Sequence, residues 1–219
     1  MQEWFGGEYP RRVATFAVQA TDSFYRRMAE GQEKTGAQYF AEKFQPDQIP
    51  WLMWELYPRA REIVLVRDFR DVVCSVLAFN RKRGFEDFGR EAVHSDEEYV
   101  RLFSSHCRRL LDAYRSRADR VHLIRYEDMI LHPADTLGGL FGYLGLSPAR
   151  RGVAGIIERA TSAGGLLAAH RTTSNPRDSI GRWRRDMSRS MQRACEASLS
   201  EVLQEFGYGE LGHSETAYG

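Results

Sequence analysis

Twice along the chain, the hydrophobic pattern changes from that of a buried strand to that of a helix, and this repeated change strongly constrains the fold. In REIVLVRDFRDVVCSVLAF, residues 61–79, an apolar run is followed by apolar residues at helical spacing. In RVHLIRYEDM, residues 120–129, a second apolar run ends in charged residues, and Pro133 then opens a helical pattern. The order strand, helix, long helix, strand, helix predicts an α/β fold with a parallel β-sheet flanked by helices.

The remaining elements follow from the same periodicities. The spacing predicts a strand at 62–67, a helix at about 68–83, a helix at about 11–30, a short helix after Pro46 and a last helix at about 186–206. Ser95 with Glu98 three residues later has the spacing of a capping box, which predicts that the long central helix begins there and runs to about residue 117. YFAEKF, residues 39–44, predicts a short extended stretch. We expect one domain over residues 1–210 and a disordered tail at 211–219.

Composition limits the kinds of partner that the chain can have. With 219 residues, 42% of them hydrophobic, it can bury one sizeable core, and a formal net charge of +1 gives no general attraction to nucleic acid. Three widely spaced cysteines without a CxxC pair predict reduced thiols, with neither zinc nor disulfides. Reduced thiols in turn indicate a cytoplasmic protein. We find no transmembrane-length apolar run and no signal-peptide pattern.

Ligands of parallel α/β proteins bind beyond the carboxyl ends of the strands, where the first predicted strand ends on Arg67. Ser75 follows eight residues later, which is about 12 Å along an ideal helix. A loop between the two residues could instead bring both side chains to one phosphate, with the guanidinium as a clamp and the hydroxyl as a donor. The alternative is a surface ion pair between Arg67 and Asp71, with Ser75 merely tolerated on the helix. Arg70 is expected to face solvent.

The segment YPRAREIVLVRDFRDVVCSVLAF resembles the 3′-phosphate-binding segment of the PAPS-dependent sulfotransferases, notably their bacterial and carbohydrate-type members. In that family the strand ends in arginine and a serine follows at the same spacing; Phe69 replaces the usual proline. The resemblance implies that Arg67 and Ser75 hold the 3′-phosphate. VHLIRYEDMILHPADTLGGLFGYLGL is similar to the family's second hallmark, which implies that Tyr126 lies near the adenine. For Glu127 and the aspartate after it we favour a structural role at the helix N-terminus.

The third matching segment is RTTSNPRDSIGRWRRDMS, which resembles the C-terminal loop that closes over the nucleotide. Arg177 is the best match to the basic phosphate ligand, with Ser174 and Arg171 as weaker candidates. Gly181 is expected to permit a tight turn, and Trp183 to anchor the loop in the core.

Lys43, in YFAEKF, matches the lysine that touches the transferring sulfuryl group in the family, which implies a catalytic role. Phe44 and Gln45 replace the usual threonine and a histidine that serves as general base in some branches. Glutamine takes up no proton at neutral pH, so a general base would lie elsewhere. Glu3 weakly resembles an acidic residue of the carbohydrate-type members.

The family's 5′-phosphosulfate loop, P-[KR]-[ST]-G-T-T, has no counterpart in the sequence, which therefore resembles a domain without its first βα unit. We favour a natural polypeptide that begins earlier over a loop supplied by a partner or a loss of catalysis.

The resemblance implies transfer of a sulfuryl group from PAPS to a hydroxyl or amine of a small-molecule or carbohydrate acceptor, with PAP as product and without a metal. The loop 84–96 and the segment 1–45 are the expected places for acceptor recognition. One alternative is a non-catalytic or incomplete nucleotide-binding module. Another is a P-loop kinase-like phosphotransferase, for which we find neither a Walker A lysine nor magnesium ligands.

Overall fold

The computed structural model describes residues 6–48, 52–84, 88–89, 93, 95–147, 150–161 and 172–209. Packing divides the chain into two compact units, Met1–Ala60 and Arg61–Gly219. A single domain over residues 1–210 stays a prediction. The tail at 211–219, most of the loop 84–96, Glu3 and Arg171 lie outside the described residues.

The first unit is built on helix α1, Glu8–Gly31, which the sequence predicts at about 11–30. A 3₁₀ turn at Pro46–Gln48 and the short helix α2, Leu52–Leu56, follow. Residues 37–45 form neither helix nor strand. Aromatic rings hold this segment to α1, because the ring of Phe40 stacks on Tyr25 with centroids 4.0 Å apart.

The second unit contains the strands and the remaining helices. Its elements, in chain order, are β1 (Glu62–Val66), α3 (Phe69–Arg83), α4 (Asp96–Arg115), β2 (Val121–Arg125), α5 (Tyr126–Leu131), α6 (Pro133–Leu144), α7 (Arg150–Thr161), a 3₁₀ turn (Pro176–Ser179), α8 (Trp183–Asp186) and α9 (Arg189–Glu205). The two strands pair in parallel, and α4 lies on the connection between them. The predicted α/β class with a parallel sheet is therefore confirmed.

Local sequence signals set the ends of the two helices that follow β1. The side chain of Asp68 accepts a hydrogen bond from the backbone N–H of Arg70 at the start of α3, which ends at Gly84 with φ of 67°. Ser95 accepts a hydrogen bond from the backbone N–H of Glu98 at 3.1 Å, so α4 begins at the predicted cap.

The core of the second unit lies between one face of β1 and helices α3, α4 and α9. Val64 and Val66 point into it, whereas Ile63 and Leu65 on the opposite face are exposed. All three cysteines are free and buried, and burial raises the pKa of Cys74 to about 12. Across the described parts of the chain, we find no helix that is both long enough and apolar enough to span a membrane.

Candidate functional site

The carboxyl edge of the sheet brings together the residues that follow β1 and β2. Val66 pairs with Arg125 at the ends of the strands, so Arg67 and Tyr126 leave the sheet side by side. The guanidinium carbon of Arg67 lies 4.6 Å from the centroid of the Tyr126 ring, which is within the range of a cation–π contact.

Arg67 also contacts the serine that lies eight residues further on. Its Nη1 donates a hydrogen bond to Ser75 Oγ at 3.0 Å. α3 begins after the cap at Asp68, and Ser75 lies about two helical turns into it, within reach of the long side chain of Arg67. The strand-end cation and the helix hydroxyl are therefore adjacent, and both are only partly buried.

Residues 172–183, which we call the C-terminal loop, close on the same arginine. Arg67 Nη2 donates to the backbone carbonyl of Ser179 at 2.7 Å, and the hydroxyls of Tyr126 and Ser179 lie 3.2 Å apart. Since the Ser179 hydroxyl donates to the carbonyl of Pro176 at 2.6 Å, its oxygen accepts from Tyr126. The Nε of Arg67 is buried and has no hydrogen-bond partner among the described residues.

Sequence reasoning missed Ser179. Its contact with Arg67 runs through a backbone carbonyl, which leaves no side-chain signature in the sequence, and the two residues are 112 positions apart. The only available signal was its place in the serine-rich loop, two residues before Gly181.

Arg177 and Ser174 both lie on the C-terminal loop and are exposed. Arg177 belongs to the 3₁₀ turn, where its backbone N–H donates to the side chain of Asn175 at 3.0 Å. The turn places Arg177 two residues from Ser179, whose carbonyl contacts Arg67. Phosphate binding by Arg177 and Ser174 stays a prediction, as do the ligand roles of Arg67, Ser75 and Tyr126.

Asp71, in the first turn of α3, fastens the C-terminal loop. Its side chain is 0% exposed; Oδ2 accepts from the N–H of Gly181 at 2.6 Å and Oδ1 from the N–H of Trp183 at 2.9 Å. Burial raises the pKa of Asp71, and the two N–H groups act against that shift. The alternative of a surface pair between Asp71 and Arg67 is therefore wrong. Gly181 has φ of +67° and Trp183 is buried, in keeping with the expected turn and anchor.

The expectation that Arg70 faces solvent is also wrong, because its side chain is only 8% exposed. Its guanidinium donates to both carboxylate oxygens of Asp68, at 2.9 and 2.8 Å, and to the carbonyl of Tyr208 at 2.9 Å. It also lies 4.0 Å from the centroid of the Trp183 ring. Tyr208 and the C-terminal loop cover this face of α3, and the periodicity of the sequence around Arg70 does not reveal contacts with residues so distant along the chain.

Glu127 joins the ends of the two strands. One carboxylate oxygen accepts from the backbone N–H of Asp68 at 3.1 Å, and the other accepts from the hydroxyl of Tyr208. Burial, together with this hydrogen bond, raises the pKa of Tyr208 well above its ordinary value. Glu127 lies in the first turn of α5, in keeping with the structural role expected of it.

Lys43 belongs to the first unit, where it is exposed in a segment without regular structure. Its catalytic role stays a prediction. No cluster of three or more potential metal ligands occurs among the residues that the structure describes.

These elements define an α/β protein with an arginine and a hydroxyl at the carboxyl edge of a parallel sheet. The sequence matches the model of the sulfotransferase family over residues 3–151, which is more than half of the chain. The chain therefore belongs to the sulfotransferase family. That it lacks the loop for the 5′-phosphosulfate stays a prediction.

Among solved structures, the chain is similar to a sulfotransferase domain from the curacin biosynthetic pathway, with 17% sequence identity and a TM-score of 0.42. The match covers 68% of this chain and 53% of that domain, so the chain spans about half of its length. No curated protein matches the sequence significantly.

Proposed function

We propose that this protein transfers a sulfuryl group from PAPS to a hydroxyl or amine of a small-molecule or carbohydrate acceptor, and that Arg67 and Ser75 bind the 3′-phosphate of the nucleotide. Membership of the sulfotransferase family supports the reaction type. The observation that carries the choice of donor is the hydrogen bond between Arg67 and Ser75 at the end of β1.

The hydrogen-bond directions in this pair suit a phosphate. Because Ser75 Oγ accepts from Arg67, the hydroxyl hydrogen of Ser75 can be donated to a different acceptor. A phosphate oxygen next to the pair would receive that hydrogen together with an N–H of the guanidinium. Hydrogen bonds between charged partners are roughly twice as strong as neutral ones, so a phosphate competes well with the Ser179 carbonyl for the guanidinium of Arg67.

Two further side chains complete the nucleotide site in this proposal. Tyr126 lies against Arg67, and its ring and hydroxyl offer stacking and a polar contact to the adenine. Arg177, exposed on the C-terminal loop close to Ser179, supplies a second cation for the 3′-phosphate.

In the proposed reaction the acceptor atom attacks sulfur in line with the departing phosphate oxygen. A bond from sulfur to the acceptor forms while the bond from sulfur to the phosphate oxygen breaks, with its electron pair passing to that oxygen. The acceptor's proton passes to solvent, and PAP leaves. As in phosphoryl transfer, the protein contributes positioning and neutralisation of charge. Lys43 would neutralise the sulfuryl oxygens, while Arg67, Ser75 and Arg177 would fix the donor.

A thermal-shift experiment with PAP, 5′-AMP and ATP plus Mg²⁺ tests the proposal. PAP and AMP differ only in the 3′-phosphate, so PAP is expected to stabilise the folded chain more. A ligand at a hundred times its dissociation constant adds about 2.7 kcal/mol to the free energy of unfolding. The PAP shift is expected to persist in EDTA.

Each other outcome points elsewhere. Equal shifts with PAP and AMP would contradict the 3′-phosphate site. A larger shift with ATP and Mg²⁺ would favour a phosphotransferase, and the absence of any shift would favour a module without nucleotide affinity. Release of PAP from PAPS over a panel of alcohols, amines and sugars then tests the transfer itself.

A further inference from the structure

The buried carboxylate of Asp71 has a place in the site that the proposed roles do not explain. It lies on the turn of α3 between Arg67 and Ser75, four residues from each. Its two oxygens accept the backbone N–H groups of Gly181 and Trp183, at 2.6 and 2.9 Å. Hydrogen bonds from N–H groups to a buried carboxylate are among the stronger ones in proteins.

The C-terminal loop is closed on itself next to this contact. Arg182 is buried, and its guanidinium donates to the hydroxyl of Thr172 at 2.9 Å and to the carboxylate of Asp186 at 2.6 Å. The first residue of the loop is thereby tied to the residue that follows Gly181. The two ends of the loop are therefore joined beside the anchor at Gly181.

Gly181 lies two positions after Ser179, whose carbonyl contacts Arg67 at 2.7 Å. The anchor at Asp71 and the contact at Arg67 thus hold one short stretch of the loop against one short stretch of α3 and the strand end. Arg177, in the same 3₁₀ turn as Ser179, is carried with it.

We infer that Asp71 is a positioning residue of the nucleotide site, which holds the C-terminal loop at the distance from Arg67 and Ser75 that recognition of the 3′-phosphate requires. This inference rests on the proposed function. Asp71 itself touches no ligand in it, because both of its oxygens are occupied by the loop.

The substitution Asp71→Asn tests this role with little change in volume. An amide keeps one acceptor oxygen but turns an NH₂ group toward one of the two N–H donors, so one bond to the loop is lost. We expect faster hydrogen exchange at the amides of Gly181 and Trp183. We also expect PAP affinity to fall about tenfold or more while AMP affinity changes less than about threefold, because only PAP carries the 3′-phosphate.

The matched control is Asp119→Asn, which removes the same charge from an exposed side chain paired with Arg120. It should leave the ratio of PAP to AMP affinity unchanged. If the wild type itself does not prefer PAP, the proposed function fails and the inference with it. Suppose that the wild type does prefer PAP. The positioning role alone is then overturned if Asp71→Asn keeps the preference for PAP, or if it loses affinity for PAP and AMP to the same extent.

A second variant keeps the test decisive should Asp71→Asn fail to fold. Gly181 has φ of +67°, and an added Cβ would lie 3.1 Å from Nη1 of Arg184, so Gly181→Ala strains the same anchor from the loop side. The same selective loss of PAP affinity is expected. A folded Gly181→Ala protein with the wild-type preference for PAP would overturn the inference.

Discussion

Arg67 contacts a side-chain hydroxyl, a backbone carbonyl and an aromatic ring at the same time, through Ser75, Ser179 and Tyr126. Each contact comes from a different element: helix α3, the C-terminal loop and the start of helix α5. The guanidinium can make all of them because its N–H groups form a planar fork and its face remains free to lie over a ring. Loss of this one side chain therefore removes both a charge and a junction between three elements.

Arg67→Ala is expected to weaken PAP binding by about 2–4 kcal/mol, because a charge-assisted clamp is lost from a partly buried site. Ser75→Ala removes one neutral donor and should cost about 1 kcal/mol. Titration calorimetry with PAP and AMP measures both effects, and the loss should be larger for PAP.

Arg81→Ala is the matched control for this experiment. Arg81 is an exposed residue in the last turn of α3, so the substitution removes the same charge from the same helix. PAP binding should change little. Comparable losses in Arg81→Ala and Arg67→Ala would show that general charge, and not the clamp, attracts the nucleotide.

At the scale of elements, α4 forms the long connection between the parallel strands β1 and β2. It begins at the cap on Ser95, and just beyond its end Arg117 forms an ion pair with Glu62, the first residue of β1, at 3.0 Å. Leu111 of α4 is buried in the same core as Leu199 of α9. These contacts hold α4 against the core and the start of β1, and the parallel pairing of the strands makes both finish at the same edge.

Ser95→Ala should lower the free energy of unfolding by about 1 kcal/mol, because the N–H of Glu98 loses its acceptor at the start of α4. Urea denaturation measures the change. Ser105→Ala, in the same helix, is the control and should have little effect or a slightly stabilising one, since alanine favours a helix interior. Ser95→Asp keeps a capping oxygen and should retain most of the stability. If Ser95→Asp destabilises the protein as much as Ser95→Ala does, the capping role of this side chain is contradicted.

Across the second unit, one buried polar network ties both strand ends to the last described residues. Glu127 bridges the backbone of Asp68 and the hydroxyl of Tyr208, while Arg70 binds the carboxylate of Asp68 and the carbonyl of Tyr208. Tyr208 thereby helps to hold the edge of the sheet at which Arg67 lies.

Tyr208→Phe should lower the free energy of unfolding at neutral pH by about 1–3 kcal/mol, since a carboxylate oxygen of Glu127 loses its donor. The pH dependence should change as well. The folded protein raises the pKa of Tyr208 above the ordinary value of 10.0, so the wild type loses stability as the pH rises beyond about 10, where the unfolded chain ionises.

The three thiols add to this alkaline loss, since burial raises their pKa values to about 12 for Cys74 and Cys107 and about 11 for Cys195, from 9.0. The loss of stability that the thiols cause begins near pH 9, and it is also expected in Tyr208→Phe. The variant should therefore lose stability less steeply than the wild type above pH 10. Urea midpoints between pH 7 and 11 measure how steeply the stability of each protein falls with pH. Identical slopes for the wild type and the variant would contradict the raised pKa of Tyr208.

The sequence by itself determined the features that depend on neighbours along the chain. Periodicity predicted both strands and their parallel pairing, and cap residues predicted where α4 begins, because backbone propensities and capping bonds act within a few residues. The eight-residue spacing also indicated that Arg67 and Ser75 meet, since one turn and two helical windings fix that geometry.

Only the tertiary structure decided the contacts that cross the chain. Arg70 is buried because residues more than a hundred positions away cover it, and Asp71 finds its partners in two backbone N–H groups 110 and 112 positions further on. Ser179 reaches Arg67 through its carbonyl. Backbone donors and acceptors are the same at almost every residue, so no motif marks which of them a buried side chain will meet, and only the packing of the loop against α3 selects them.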